Sequence, residues 1–427
     1  MKNKSASKKN TGFRKRITVL LLATVSSVGF SMDEIPVGSV IDASNLDTFR
    51  DKTFEGKKID DLLLPVQQKL VKEYGVTYKI RKSEPINVGE NLIEYTKKYA
   101  DQVSLDPNTL ELKGFVTGTP FPKITEDDPQ AGMKLMYNFL RTPWTGDTAE
   151  FNPMSLLAVD GKKGLERENR ALVNKILLQG RLSEPHLLSK EEIYVNTMIF
   201  LYPNDARGVG LLTISYADGR LPDVYAYIKP VRRVRRLSSG SWADPLSGSD
   251  LLGDEQQGQS GDPRWYKSVK LLNKRYMLAA AHSVTPGMDA AQSDPAKRYN
   301  LRLNEPPYWD YDDEFEPREV WAVEVINQPQ HIAGKKILYF DTNPYISFPW
   351  FWESYDKKGA LWRILEQGIY EVKSSKGNLT YGPGPMRVVD LQRRHATVVP
   401  SSRGIVQFDI DKGREDFTPQ ALSRLLQ

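Results

Sequence analysis

Cysteine is absent from the 427 residues. The chain therefore has no disulfide framework, no thiolate nucleophile and no thiolate metal site. Histidine is scarce: His186, His282, His331 and His395 are scattered, with no H-E-x-x-H string and no i, i+4 pair, so the spacing gives a zinc centre no support. No G-x-S-x-G elbow occurs; Ser239-Gly240-Ser241 and Ser247-Gly248-Ser249 lack its spacing. No glycine-rich phosphate loop follows a strand pattern, and no internal repeat is visible. Neither a metal, nor a cofactor, nor a set of catalytic residues is expected.

An excess of charge of one sign is lacking too, once the first residues are set aside. The chain holds 59 basic and 54 acidic residues. Seven of the basic ones (Lys2, Lys4, Lys8, Lys9, Arg14, Lys15 and Arg16) lie in the first 16 positions without an acid, which leaves 52 against 54. No positive field remains to hold nucleic acid. The basic head is followed by the apolar run ITVLLLATVSSVGF, Ile17 to Phe30, and small residues near Gly29 and Ser31. That is the pattern of a cleavable signal peptide over residues 1–31, and the run is shorter than the ~20 residues of a spanning helix. The expectation is an exported soluble protein, periplasmic where the cell has two membranes. Without a cysteine after the signal, a lipid anchor is not expected.

What is present is sheet. Val195 to Tyr202 and Val209 to Tyr216 flank Pro203, Asn204, Asp205 and Gly208, a strand-turn-strand signature. Further strands are predicted at Thr77 to Arg81, Leu110 to Thr119, Tyr266 to Leu272, Tyr276 to Ala281, Val320 to Ile326, Ile337 to Asp341 and Val388 to Leu391. Helices are predicted mostly early: Ile59 to Tyr74, kinked or begun at Pro65 and stopped by Gly75; Asn91 to Ala100; and one opened by Asp128-Pro129 with Met133, Met136, Tyr137 and Leu140 on one face. A short one follows Thr418-Pro419. Leu165 to Gln179 fits a helix face or a twisted strand equally. The fold class expected is α+β, dominated by antiparallel sheet.

The stretch Asp223 to Asp250 combines a strand with Arg232, Arg233, Arg235 and Arg236, then a glycine-rich loop around Trp242. Arginines on both faces exclude a wholly dry strand, because unpaired buried guanidinium groups are costly. Asp244, Asp250 and Asp254 are the expected partners, forming a charged rim or a solvated strand end. The loop from Ser238 to Asp262 is long enough to suggest function or disorder. Asp310 to Glu319, DYDDEFEPRE, could supply paired carboxylates for hydrolysis or a calcium ion, but such runs are more often solvated loop. Aromatic residues concentrate in the same half. Trp242, Trp265, Tyr266, Trp309, Trp321, Trp350, Phe351 and Trp352 are the expected ligand-binding set, the alternative being that they fill a core.

Several strings carry a resemblance: EIPVGSVIDASNLD at Glu34, TFEGKKIDDLL at Thr53, GFVTGTPFPKITEDDPQAG at Gly114, DVYAYIKPVRRVRRLS at Asp223, ADPLSGSD at Ala243, NEPPYWDY at Asn304, PREVWAVEV at Pro317, KKILYFDT at Lys335, YDKKGALWR at Tyr355 and LQRRHATVV at Leu391. They span most of the mature chain, which resembles the domain of unknown function 1329 family of exported bacterial proteins. The resemblance implies a larger relative of the periplasmic lipoprotein-sorting (LolA- and LolB-like) proteins. It implies one domain over residues 32–427: a large curved antiparallel sheet, an open half-barrel, covered by a few helices with its helical part at about 54–142. It further implies a carrier or accessory protein that binds a hydrophobic ligand, such as a lipid, and works with an RND-type transporter and an outer-membrane-type companion. The alternatives are a scaffold subunit of that transporter without a ligand and a carboxylate-dependent hydrolase. The early helices and the loop after Trp242 are the expected lid and rim.

Overall fold

The computed structural model describes residues 33–229, 232–237 and 242–426. The signal-peptide segment lies outside them. From Thr148 onward the chain is mostly strand: β1 (Thr148–Asp160), β2 (Gly164–Leu177), β3 (Glu192–Tyr202), β4 (Gly210–Tyr216), β5 (Asp223–Ile228) and β6 (Arg233–Arg236). β7 (Ser268–Ala279), β8 (Glu314–Ile326), β9 (Lys335–Asp341), β10 (Pro349–Tyr355), β11 (Leu361–Lys373), β12 (Leu379–Asp390), β13 (His395–Val399) and β14 (Val406–Phe408) follow. With the short strands Val40–Ile41 and Tyr78–Ile80 they make one 16-stranded sheet. Its order is Val40–Ile41, Tyr78–Ile80, β8 to β13, β1 to β6, with β7 beside β8 and β14 beside β1. Pairing is antiparallel throughout, apart from Tyr78–Ile80 against β8. β6 and β7 do not pair, so the curved sheet stays open. Register shifts at Phe151/Met154 and Gln367/Ile369 are bulges of the kind that bend a sheet.

The ambiguous segment at Leu165 is strand β2, paired to β1 on one side and β3 on the other. Its helical-looking cluster is really two faces of a strand. Ile176 of β2, Val195 of β3 and Leu212 and Ile214 of β4 are buried together against Phe417 and Leu422. Leu422 belongs to the terminal helix α4 (Pro419–Leu426), whose start is capped by Thr418 Oγ1, accepting from Ala421 N at 3.0 Å. Val173, Lys175 and Leu177 alternate with that buried set and point the other way.

The larger core lies at β7 to β12. Trp350, Phe351, Trp352 and Phe340 are wholly buried there, against α1 (Pro65–Tyr74). Helix α1 begins at Pro65 and ends at Gly75 in the left-handed region, separated from a short turn of helix at Ile59–Leu62. Helix α2 spans Glu90–Tyr99 and α3 spans Ala131–Arg141. Asp128 accepts from Gln130 N at 2.8 Å just ahead of α3. At Gly132 an added Cβ would lie 3.0 Å from Leu271 N, so glycine is what lets α3 approach β7 this closely. Leu110 to Thr119 is mostly not strand: Leu112–Lys113 pairs with Ser104–Leu105, and Thr117 makes a single parallel bridge to Gly180. The two strands predicted at Tyr266 and Tyr276 are one continuous strand, β7.

Candidate functional site

The second face of β1 to β3 does not close on solid packing. Phe151, Met154, Val173 and Met198 border a cavity of about 160 Å³, roofed by Phe139 to Arg141 of α3, by parts of the segment Leu246–Ser260, and by residues 399–405. The register explains the wall. Val173 faces Met198 across the β2–β3 ladder, Lys175 faces Asn196, and Leu177 faces Tyr194, so one face of the sheet grades from apolar to polar along the strands. A second cavity, of about 370 Å³, adjoins the first. Leu140, Arg141, Gln179, Ile193, Tyr194 and Ser260 line both, so they form the neck between them. The outer cavity carries Phe115, Tyr216 and Trp265 among charged residues including Lys190, Arg220 and Asp262. The inner cavity alone falls below the ~300–1,000 Å³ of common ligand sites; with its antechamber it falls within that range.

The electrostatics follow from this enclosure. Burial pushes the Lys175 ammonium down to about 8 and the Arg141 guanidinium down to about 10. Tyr194 is raised by burial, against the Ser215 hydrogen bond, which lowers it. Burial lifts Tyr299 at the cavity wall to about 12. The roof segment is pinned from the outside. Glu255 takes two hydrogen bonds from Arg363 at 2.8 Å each, and Asp254 takes one from Lys336 at 2.8 Å, all four side chains being buried.

The family model of the "Protein of unknown function (DUF1329)" matches residues 40–423. The chain belongs to that family. No curated protein matches this DUF1329 chain. Among solved structures it is similar to a domain from Vibrio parahaemolyticus described as that of an outer membrane lipoprotein-sorting protein, at 17% identity over 69% of this chain and 98% of that one, with a TM-score of 0.47. It is also similar to a DUF1329 family protein from Desulfovibrio piger, at 17% identity over 69% and 99% of the two chains, TM-score 0.46. A LolA superfamily protein from Nitrosomonas europaea is 12% identical over 67% and 97%, TM-score 0.39.

The aromatic residues singled out in the DUF1329 sequence are mostly elsewhere. Trp309, Trp321, Trp350, Phe351 and Trp352 are buried in the main core and border neither cavity. Trp242 packs on Trp265, Tyr266 and His331, with ring centroids 5.4, 6.1 and 5.1 Å away. Tyr266 donates its hydroxyl to Asp254 at 2.8 Å. Trp265 does line the outer cavity, and its Nε1 donates to Gly219 O at 2.7 Å.

The arginine cluster also sits away from both cavities. β6 is the outermost strand, so Arg232, Arg233, Arg235 and Arg236 are exposed, and Arg236 pairs with Asp223 of the neighbouring strand. The expected acidic partners are engaged otherwise or exposed. Asp250 is held by His395 Nδ1 at 2.7 Å and Thr397 Oγ1 at 2.9 Å, Asp254 by Lys336, and Asp244 is exposed. The acidic stretch supplies structural pairs: Asp310 meets Arg387 and Arg302, Glu316 meets His282 at 2.9 Å, and Asp313 accepts from Ser283 Oγ at 2.6 Å.

The cavity residues Phe151, Val173, Lys175, Tyr194 and Met198 were not among those singled out. Alternation in β3 places Tyr194, Asn196 and Met198 on one face. It does not say which face is left unfilled.

Proposed function

We propose that the protein is a carrier that binds a hydrophobic molecule, such as a lipid, in the cavity between β1–β3 and α3, and that it has no chemistry of its own. The apolar face of β1–β3, left uncovered beneath a roof of helix and loop, is the observation that carries the reading. Each methylene of an acyl chain resists leaving a membrane by about 0.8 kcal/mol, so a soluble carrier must offer a comparable apolar lining. Phe151, Met154, Val173 and Met198 supply one. The buried carboxylates of this stretch, Asp310 to Glu319, speak against a hydrolase, since Asp310 is already engaged by Arg387, Asp313 by Ser283 and Glu316 by His282. Among the described residues no helix is long and apolar enough to cross a membrane. With residues 1–31 as a cleaved export signal, the remaining domain, residues 32–427, would work in the periplasm. There it would pass cargo to or from an RND-type transporter and an outer-membrane-type companion.

The test is lipid extraction and mass spectrometry on protein purified from its native compartment, beside a Val173→Trp variant that fills the inner cavity. A stoichiometric hydrophobic species in the parent and its loss in the folded variant are expected. A clean apo mass in the parent would leave the scaffold reading in its place.

A further inference from the structure

The inner cavity contains a feature that an uncharged apolar cargo does not call for. Arg141 of α3 and Lys175 of β2 line it, and no aspartate, glutamate or histidine does. Both cations are half-buried and neither forms an ion pair with a described residue. Arg141 donates to Gln179 Oε1 at 2.7 Å and lies 5.0 Å from the Phe115 ring centroid, while its buried Nε has no acceptor among the described residues. Lys175 Nζ sits 5.0 Å from the Tyr194 ring centroid, and the buried Oδ1 of Asn196, its cross-strand neighbour, likewise has no hydrogen-bond partner among the described residues.

The rest of the interior is built differently. Lys336 meets Asp254 and Glu255 at 2.8 and 3.1 Å, Arg363 meets Glu255 at 2.8 Å, and Arg387 meets both Asp310 and Glu366. Enclosing a cation without an ion-pair partner is unfavourable, and the depressed Lys175 and Arg141 titrations report that cost, which for Arg141 the charge of Asp262 in the outer cavity offsets only in part. A pocket for purely apolar cargo would be served better by leucine at both places. An incoming anion removes the penalty.

We propose that the ligand is an amphiphile with an acyl-type tail and an anionic head, a carboxylate or a phosphate, and that Arg141 and Lys175 hold the head while the tail lies along Phe151, Val173 and Met198. This rests on the carrier reading above. Arg141, Gln179 and Tyr194 also line the outer cavity, so the head would sit at the neck, the last part to enter and the first to meet water on release.

The experiment uses the delipidated chain beginning at residue 32. It measures equilibrium affinity for four probes with the same sixteen-carbon tail: palmitate, palmitoyl lysophosphatidate, hexadecanol and monopalmitoylglycerol. At least one of the two acids should bind roughly tenfold or more tighter than its uncharged counterpart, the scale of one charge-assisted contact. Whichever acid is preferred identifies the head as carboxylate or phosphate. In Lys175→Met, and in Arg141→Met where melting shows it folded, that preference should collapse to about twofold or less. Equal binding of acid and uncharged probes by the parent, or a preference untouched in Lys175→Met, overturns the anionic head and leaves the carrier standing. Failure of all four probes to bind overturns the carrier reading itself.

Discussion

At the scale of single residues, the interior is decided by which charges have partners. Lys336 lies wholly buried between Asp254 and Glu255. Lys336→Met should cost about 3–5 kcal/mol, because it strands carboxylates in the dark while removing little volume; chemical denaturation of the variant beside the parent measures it. His395 ties the roof segment to the sheet through Asp250 at 2.7 Å, with Glu166 at 3.3 Å on its other nitrogen. The hydrogen bond to Asp250 raises the His395 titration above its usual value, against burial, which lowers it. A raised folded value means that the contribution is full below the unfolded value near ~6.5 and fades as pH climbs through the folded one. The gap in melting temperature between the parent and His395→Asn should therefore be widest at pH 6 and narrow by pH 9. A gap that grows with pH would contradict this assignment.

Elements depend on how closely backbones can approach. The α3–β7 contact uses the missing side chain of Gly132, where a Cβ would crowd Leu271 N at 3.0 Å and Lys270 C at 3.1 Å. Gly132→Val should lift α3, lower stability by roughly 1–3 kcal/mol, and loosen the cavity roof together with it; urea melts and the affinity for palmitate would record both. The helix starts at Pro65 and after Thr418 were legible in the sequence because both residues act through local geometry, whereas Asp128 and Pro129 form a turn and α3 begins later, at Ala131. The β2 segment was not legible: Leu172, Val173, Ile176 and Leu177 fit a helical stripe as well as two strand faces. Pairing with β1 and β3, which no local pattern encodes, decides for the strand.

For the molecule as a whole, the division of labour between the two halves of the sheet matters most. One half, around Trp350 and Trp352, holds the main core; the other is sealed by α4 on one face and open on the other to a cavity whose far wall includes Phe348 and Met386 of that core. A ligand that binds only the folded form should stabilise the chain by about 2.7 kcal/mol at a hundredfold excess over its dissociation constant. Palmitate or palmitoyl lysophosphatidate, whichever binds, should raise the unfolding free energy by that amount and shift the denaturation midpoint upward with it, and Val173→Trp should abolish the rise. An unchanged midpoint in the parent at saturation would count against binding at the folded state.

The sheet-rich class, the resemblance to the DUF1329 family and the existence of the main helices could be read from the chain alone, because alternation, capping and unusual strings are local properties. Where the hollow lies was decided only in three dimensions. Trp309, Trp321, Trp350 and Trp352 went to the half where many strands and α1 converge, since burying such large side chains there removes the most area from water, whereas Trp144 and Trp265 border the cavities. The cavity is walled by a mixture of aromatic, mid-sized and amide side chains with two cations, whose convergence depends on strand register and on the reach of a roof held by Glu255 and Asp254.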